Sequence, residues 1–503
     1  MLVALLAFGS MWNDSATADE GAHIAAGLIK IREGNVEFYS TQAPLMEALI
    51  ATPLAIAGYR VPDVWHRYGN RPWVAGDLLL NRSGADTQRI LRLARLPVIA
   101  LFLALCWAVW IFVRDVTRSE TAALAAFVLT GFCPTLLAHG RLATVDLGVT
   151  FFGFLATVLL LRLLHTPSKG VAIATGVALA CTLASKISGA LFVPFFAIVV
   201  LLWFLRERRL NWRMLALAAL TSIAAFALIY LALAHSFDPA FPFRAYLGEI
   251  RAVRAFYDAN PLPQFLLGEF SPNGWPHYYL VAIAVKTPLP ALALLLLAIV
   301  PAVRARRFEV LVCAIFVSLF LIVAAFSSLN LGIRHVLPIY PFLFAACAIA
   351  LLDASHRIRI ASAVLVATHA LIAMVAFPSY LSYFNPLIGS SRNADRVLID
   401  SNLDWGQDLR RLAQWAQAND VETLRVHYFG ASRVERELGA RGMRWAAPRA
   451  ELLPKGWFAV SRHFYRLSFL PARSPVDYET YLRASGAKYV TTVGGSIDVY
   501  RVE

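Results

Sequence analysis

Two short polar motifs near the start of a very apolar chain hold the side chains best suited to acid–base chemistry. Asp19, Glu20 and His23 lie in Ala-Asp-Glu-Gly-Ala-His, and Gln42 follows in Ser-Thr-Gln-Ala-Pro-Leu. A carboxylate beside an acceptor hydroxyl takes its proton as general base. Asp146 is a second acid of this kind. Arg95, Lys186, Lys286 and Arg334 are cations at the ends of apolar runs, where charge is costly and usually functional. Arg and Lys bind phosphate well and stabilise it as it leaves. Together these residues suit transfer of a group from a phosphate to a hydroxyl. A plainer reading stands beside it. Thr17 to Glu20 fits a capping box, acids favour a first helical turn, and long cations near a membrane interface snorkel.

The elements that must position these groups are membrane helices. Of 503 residues, 59% are hydrophobic and 16% charged, and long apolar runs alternate with short basic loops. That excludes a large soluble core and predicts a polytopic α-helical membrane protein. Spans are predicted at about 90–113, 121–137, 147–164, 171–185, 190–205, 214–234, 276–300, 308–326, 336–352 and 360–377. The apolar segment 1–11 is too short to span and lacks a basic leader, so it is expected to be a clipped first helix, making about eleven spans. Segments 20–31 and 44–56 are amphipathic and shorter than a span, and are expected to lie at the membrane surface.

The loops holding Arg114, Arg162 with Lys169, Arg206 to Arg213, Arg304 to Arg307, and Arg357 with Arg359 are short and basic, hence cytoplasmic. The opposite set faces outward, including long loops at 13–89 and 235–275. On this topology Arg95, Asp146, Lys186, Lys286, Arg334 and His335 share the outer side with Asp19. The net charge of +14 is then largely a matter of orientation, and nucleic acid is not an expected partner. The five cysteines all lie in apolar runs, with no metal or redox spacing.

Composition changes at 378. An amphipathic helix with Leu409, Leu412 and Trp415 on one face, strands near 423–429, 457–461 and 488–492, and a hairpin through Gly494-Gly495 into 497–502 predict a small extracytoplasmic α/β domain at 378–503, after a membrane module at 1–377. Asp400 to Asp408 holds three carboxylates. It reads as a structural helix entry or as a second metal- or acceptor-binding site.

DEGAHIAAG, STQAPLMEAL, GRLATVD, ASKISG, VKTPLP and IRHVLPIYPF occur in that order. Over about residues 14–342 this pattern resembles the GT-C membrane glycosyltransferases, in particular the branch of protein O-mannosyltransferases and lipid A aminoarabinose transferases. The segment 400–408 is similar to that of members with an outer C-terminal domain. Ala43-Pro44 stands where the family often has two prolines. The resemblance implies an integral-membrane enzyme that moves a sugar from a polyprenyl-phosphate carrier to a hydroxyl on protein, lipid A or polysaccharide. It acts at the outer face of a plasma membrane, here the bacterial inner membrane. The resemblance makes Asp19 the base, Glu20 a positioning or capping acid and Asp146 a second acid. Arg95 and Lys186 would bind the donor phosphate, with Lys286 and Arg334 added, and His23 and Gln42 would contact substrate. It requires no cofactor and no metal; a divalent cation on Asp19, Glu20 and Asp146 is the alternative. Many spans and buried cations would also suit a transporter or flippase of a lipid-linked saccharide, or a structural partner in an envelope assembly. The transporter reading predicts internal repeats, of which none is clear, and the structural one needs no Asp19 carboxylate.

Overall fold

The computed structural model describes residues 1–259, 263–327, 329–446, 448 and 452–503. Parts of the expected loops (260–262 and 328) and of the C-terminal domain (447 and 449–451) lie outside the described residues.

The chain opens with α1 (Leu2–Met11), α2 (Glu20–Glu33), α3 (Pro44–Ile56) and the short α4 (Pro72–Asp77). Asp86 caps the long α5 (Thr87–Thr117), accepting from the backbone N–H groups of Gln88 and Arg89. Then come α6 (Glu120–Gly131), α7 (Pro134–His139), α8 (Asp146–His165), α9 (Lys169–Ser185), α10 (Phe192–Glu207), α11 (Trp212–Ala234) and α12 (Phe241–Ala259). A hairpin of β1 (Gln264–Leu266) and β2 (Glu269–Ser271) leads to α13 (Tyr278–Lys286), α14 (Leu289–Ala305), α15 (Phe308–Ala325), α16 (Ile339–Leu352) and α17 (His356–Val375).

Among the described residues, six stretches are long and apolar enough to cross a membrane: Thr87–Thr117, Asp146–His165, Ile187–Glu207, Trp212–Ala234, Phe308–Ala325 and His356–Val375. The protein is thus integral to a membrane. Fewer continuous helices of that length are present among the described residues than the eleven expected spans, because prolines cut two of the apolar runs. Pro134 starts a new short helix where one span at 121–137 was predicted, leaving α6 with 12 residues. Pro288 divides the run at 276–300 into α13 and α14, which bend by 114°. If that bent pair is one span, the number is seven. Helices α9 and α16 are apolar but shorter than a full crossing.

The two early helices exist where the pattern predicts, and they pack against each other, α2 being the more deeply buried. In α2 every residue from Glu20 to Lys30 is buried. Gly27 permits this, because a Cβ there would stand 2.0 Å from the Glu47 carbonyl oxygen on α3. The two backbones therefore touch. Three polar side chains are buried in the same contact: Lys30 pairs with Glu47, and His23 Nδ1 lies 3.1 Å from Glu47 Oε1. A buried carboxylate shared by two cationic or hydrogen-bonding partners is satisfied rather than orphaned.

Beyond α17 the chain forms α18 (Ala394–Val397), α19 (Leu409–Ala418), β3 (Leu424–His427), α20 (Val434–Leu438), β4 (Gly442–Arg444), β5 (Gly456–Ser461), α21 (Arg462–Leu467), α22 (Tyr478–Ala484), β6 (Ala487–Val493) and β7 (Ile497–Val502). The five-stranded sheet has the order β4-β3-β5-β7-β6. β3 is parallel to β4 and β5, and β7 is antiparallel to β5 and β6. The closing hairpin pairs Val493 with Ile497, at the turn its Gly-Gly sequence predicts. Side chains alternate through the sheet: Ala459 packs with Leu409 and Leu412 of α19, while Phe458 and Val460 pack with Tyr478 and Leu482.

The joint between helical body and sheet is not a free linker. Tyr380, Leu381, Leu398 and Trp405 belong to the core of the helical body. Ser15 N–H donates to the Gln407 carbonyl and Ala18 N–H to that of Trp405, each at 2.9 Å. Arg433 holds Asp77 with two bonds of 2.9 and 2.8 Å.

Candidate active site

Asp19 and Glu20 are adjacent in sequence but serve different places. Consecutive residues on a helix point about 100° apart. Glu20, the first residue of α2, turns inward and is fully buried. Its oxygens accept from Arg95 Nε at 2.8 Å and Nη2 at 2.7 Å, from Ala143 N–H at 2.8 Å and from Thr17 N–H at 2.9 Å. Burial alone would raise this acid, but the Arg95 charge and these bonds outweigh it and hold Glu20 below the usual range. Half of the capping box is therefore present: Glu20 reaches back to Thr17, while the Thr17 hydroxyl has no partner among the described residues.

Asp19, at the N-cap, points the other way and its side chain stays 18% exposed. Its Oδ2 lies 3.2 Å from Arg334 Nη2. Arg334 sits in the 3₁₀ turn Ile333–Val336 that enters α16. Its Nη1 lies 3.7 Å from Oδ2 of Asp146, the first residue of α8. Asp146 Oδ1 in turn accepts from Lys186 Nζ at 2.5 Å. Lys186 occupies the extended break after α9. Four elements thus meet in an alternating chain of charge, Asp19–Arg334–Asp146–Lys186. Asp146 is buried within it, whereas Asp19, Arg334 and Lys186 retain a partly exposed side.

Two histidines stand beside this chain, His139 at the end of α7 and His335 next to Arg334. Burial, with the nearby cations Arg334 and Lys186, pushes His139 down to about 3 and His335 well below its usual value. Both are therefore neutral near pH 7 and add no positive charge.

The wall opposite α2 comes from the segment 400–408. The Arg334 guanidinium lies over the Trp405 ring, 4.3 Å from its centroid. Asp400 feels both Arg334 and Asp19, and burial lifts it to about 6. Asn402 fixes the Arg334 turn by accepting from Ile333 N–H at 2.8 Å. The sequence of this segment suits a second site or a helix entry. Instead, Asp400 and Trp405 join the first site. Their one advance signal was the density of acids beside a tryptophan. Asp404 and Asp408 do act as structural acids: Asp404 accepts from Gly406 N–H and His463 N–H and bonds Ser461, and Asp408 bonds Arg411, Gln407 and Ser496.

Other predicted residues lie elsewhere. Arg95 directs all five of its N–H donors to Glu20 and to the carbonyls of Met11, Asp14 and Ser15, so none remains for a phosphate. Lys286 is likewise spent: its three ammonium hydrogens face the carbonyls of Leu381, Tyr383 and Asn402 at 2.8, 2.5 and 2.6 Å. Both cations brace the scaffold behind the site. His23 is held by Glu47 within the α2–α3 contact. Gln42 lies in the turn before α3, its N–H bonded to the Tyr39 carbonyl. Neither has a described contact with the Asp19 chain. Because Glu20 is committed to Arg95, it does not converge with Asp19 and Asp146 as a three-carboxylate cation site would require. Among the described residues, no group of three or more His, Cys, Asp or Glu side chains is placed to hold a metal.

Gly332, just before the Arg334 turn, has φ of 150°. A Cβ there would come 2.2 Å from Ser401 Oγ. Gly332→Ala is expected to lower stability by about 1–3 kcal/mol, measured as a fall in unfolding temperature. Adding Ser401→Ala should relieve the collision but not the backbone strain. Complete recovery in the double variant would show that strain plays no part.

Asp404 supplies a pH test. Burial lifts it to about 7 from an ordinary 3.8, against its three hydrogen bonds. The folded protein keeps a proton that the unfolded chain releases. Stability from this group is therefore full at acid pH and is lost as pH rises from about 4 to 7. The unfolding temperature should fall between about pH 4 and pH 7, and Asp404→Asn should flatten that slope. An unchanged slope would exclude Asp404 as its source.

These elements form a membrane helical body with an α/β C-terminal unit. A family model described as dolichyl-phosphate-mannose-protein mannosyltransferase matches residues 90–230, which hold Arg95, Asp146 and Lys186. The structure is similar to that of ArnT from Cupriavidus metallidurans in the apo state, with a TM-score of 0.52, 14% identity, and coverage of 100% of this chain and 96% of that one. It is similar to the same protein bound to undecaprenyl phosphate, with a TM-score of 0.53, 14% identity, and coverage of 100% and 97%. No curated protein matches the chain significantly.

Proposed function

We propose that this protein transfers a sugar from a polyprenyl-phosphate carrier to a hydroxyl acceptor, with Asp19 as general base, at the outer face of a bacterial inner membrane. The observation that carries the reading is the partly open chain Asp19–Arg334–Asp146–Lys186 at one end of the membrane helices. A donor phosphate arriving there would meet Arg334 and Lys186. Asp19 would take the proton of the acceptor hydroxyl as its oxygen attacks the anomeric carbon. The bond from that carbon to the phosphate oxygen breaks, and the electron pair leaves with the carrier phosphate, stabilised by the two cations. Asp146, buried between them, positions both. The undecaprenyl phosphate bound by ArnT supports a lipid phosphate as donor carrier. The Arg-rich ends of α10, α14 and α15 lie opposite the site, which supports its placement on the outer face.

The test is turnover of labelled polyprenyl-phosphate sugars by the purified chain in nanodiscs, with hydroxyl acceptors of protein, lipid and saccharide type. Sugar transfer or release that requires Asp19 supports the reading. Donor binding with no turnover against any acceptor would favour carriage of a lipid-linked saccharide instead, and absence of donor binding would remove the reading.

A further inference from the structure

A second charged feature lies at the far end of the same helices and takes no part in the chemistry above. α8 runs from Asp146 to His165, about 30 Å at helical rise. At its His165 end, the ends of α10, α11, α14 and α15 line an open cleft of about 950 Å³. Its lining includes five arginines, Arg206, Arg209, Arg213, Arg306 and Arg307, against two glutamates, Glu207 and Glu309. Both glutamates are engaged, Glu309 with His165 at 3.2 Å and Glu207 with Arg206 at 3.3 Å. Arg307 is fixed by Asp353. The side chains of Arg209, Arg213 and Arg306 make no hydrogen bond or ion pair with other described residues. They come from three separate elements: the turn after α10, the first turn of α11 and the end of α14.

Loop cations at a cytoplasmic face need only point into water to set orientation. Here three such cations, all exposed, converge on one open cleft between spans. Trp203 and Phe308 form part of its wall, their rings 5.3 Å apart. Apolar side chains open to the surroundings flank it, with Trp212 at 66%, Leu205 at 49% and Val303 at 69% exposure. On membrane helices such side chains face lipid. A ligand here would have its anionic group against the three arginines and its apolar part against the spans.

We propose that this cleft binds the phosphate headgroup of an anionic glycerophospholipid, from the leaflet opposite the candidate active site. Basic pockets between membrane helices are suited to such headgroups. The lipid-facing rim favours this source over a soluble phosphate, and the site is independent of the sugar-transfer reading.

The test uses the full chain in detergent, titrated with phosphatidylglycerol and with phosphatidylcholine and read by native mass spectrometry. Phosphatidylglycerol should bind in preference. The variant R209Q/R213Q/R306Q should weaken it on the order of a hundredfold, from the contribution of each cation near a lipid phosphate. The variant R304Q/R357Q/R359Q removes equal charge from the same face outside the cleft and should bind as the unaltered chain does. Retained binding in the first variant overturns the proposal, as does an equal loss in the second, which would mean diffuse surface charge. Displacement of the lipid by millimolar inorganic phosphate would also overturn it, in favour of a soluble-anion site. Photoactivatable phosphatidylglycerol on the unaltered chain gives a readout independent of any variant's folding. It should label peptides covering 203–213 and 305–309, and labelling confined to other regions overturns the proposal.

Discussion

Asp19→Asn is expected to lower sugar transfer by about two to four orders of magnitude, the usual worth of a positioned general base. The amide keeps the size of the carboxylate and still offers an oxygen to Arg334 Nη2, now 3.2 Å away. What it loses is the ability to take a proton. The fall should therefore appear in kcat, with donor affinity changed little, because Lys186 and Arg334 both remain. Arg334→Gln and Lys186→Gln should instead raise KM for the donor as well as lower kcat, since these cations would hold its phosphate and stabilise it as it leaves. Steady-state turnover and donor binding on each variant separate the two roles. Full activity in a normally inserted Asp19→Asn protein would sink the assignment of the base.

Arg95→Leu should destabilise the protein by about 3–5 kcal/mol, the cost of leaving a buried charge without its partner. Arg95 and Glu20 are both wholly buried. Removing the guanidinium strips Glu20 of its counter-ion and leaves the Met11, Asp14 and Ser15 carbonyls without their donor. Lysine would not restore the arrangement, since three donors from one point do not reproduce five from a planar fork. Adding Glu20→Gln should recover part of the loss by removing the unpaired charge. Thermal unfolding in detergent measures both variants. An Arg95→Leu protein of normal stability that failed to bind donor would instead return Arg95 to the phosphate-binding role its position suggested. The pair also matters to the site: Glu20 fixes the start of α2 and so the direction in which Asp19 points.

Much of the architecture follows from local pattern. Apolar runs bounded by arginines yield membrane helices, and Asp86 before Thr87 yields the start of α5. Alternation and a Gly-Gly turn yield the terminal hairpin. Asp19 at a helix entry, with Asp146 and Lys186 at the ends of apolar runs, was legible for the same reason: a charge beside an apolar segment is costly unless it has a task. Length was less legible, because composition alone does not show that Pro134 and Pro288 interrupt helices.

Only the tertiary structure decided which charges are available. Arg95, Lys186, Lys286 and Arg334 look alike in sequence, each a cation at the end of an apolar run. Folding brings Arg95 onto Glu20, 75 residues away, and places Lys286 against carbonyls up to 116 residues away. Lys186 and Arg334 instead meet Asp146 and Asp19 at a partly open surface. The same folding carries Asp400 and Trp405 from the C-terminal segment to Arg334. Helical period and capping act over a few residues, so they set where a side chain stands on its own helix. Whether that side chain meets a counter-charge, a carbonyl or a substrate depends on which distant backbone packs against it, and that is determined by the whole core.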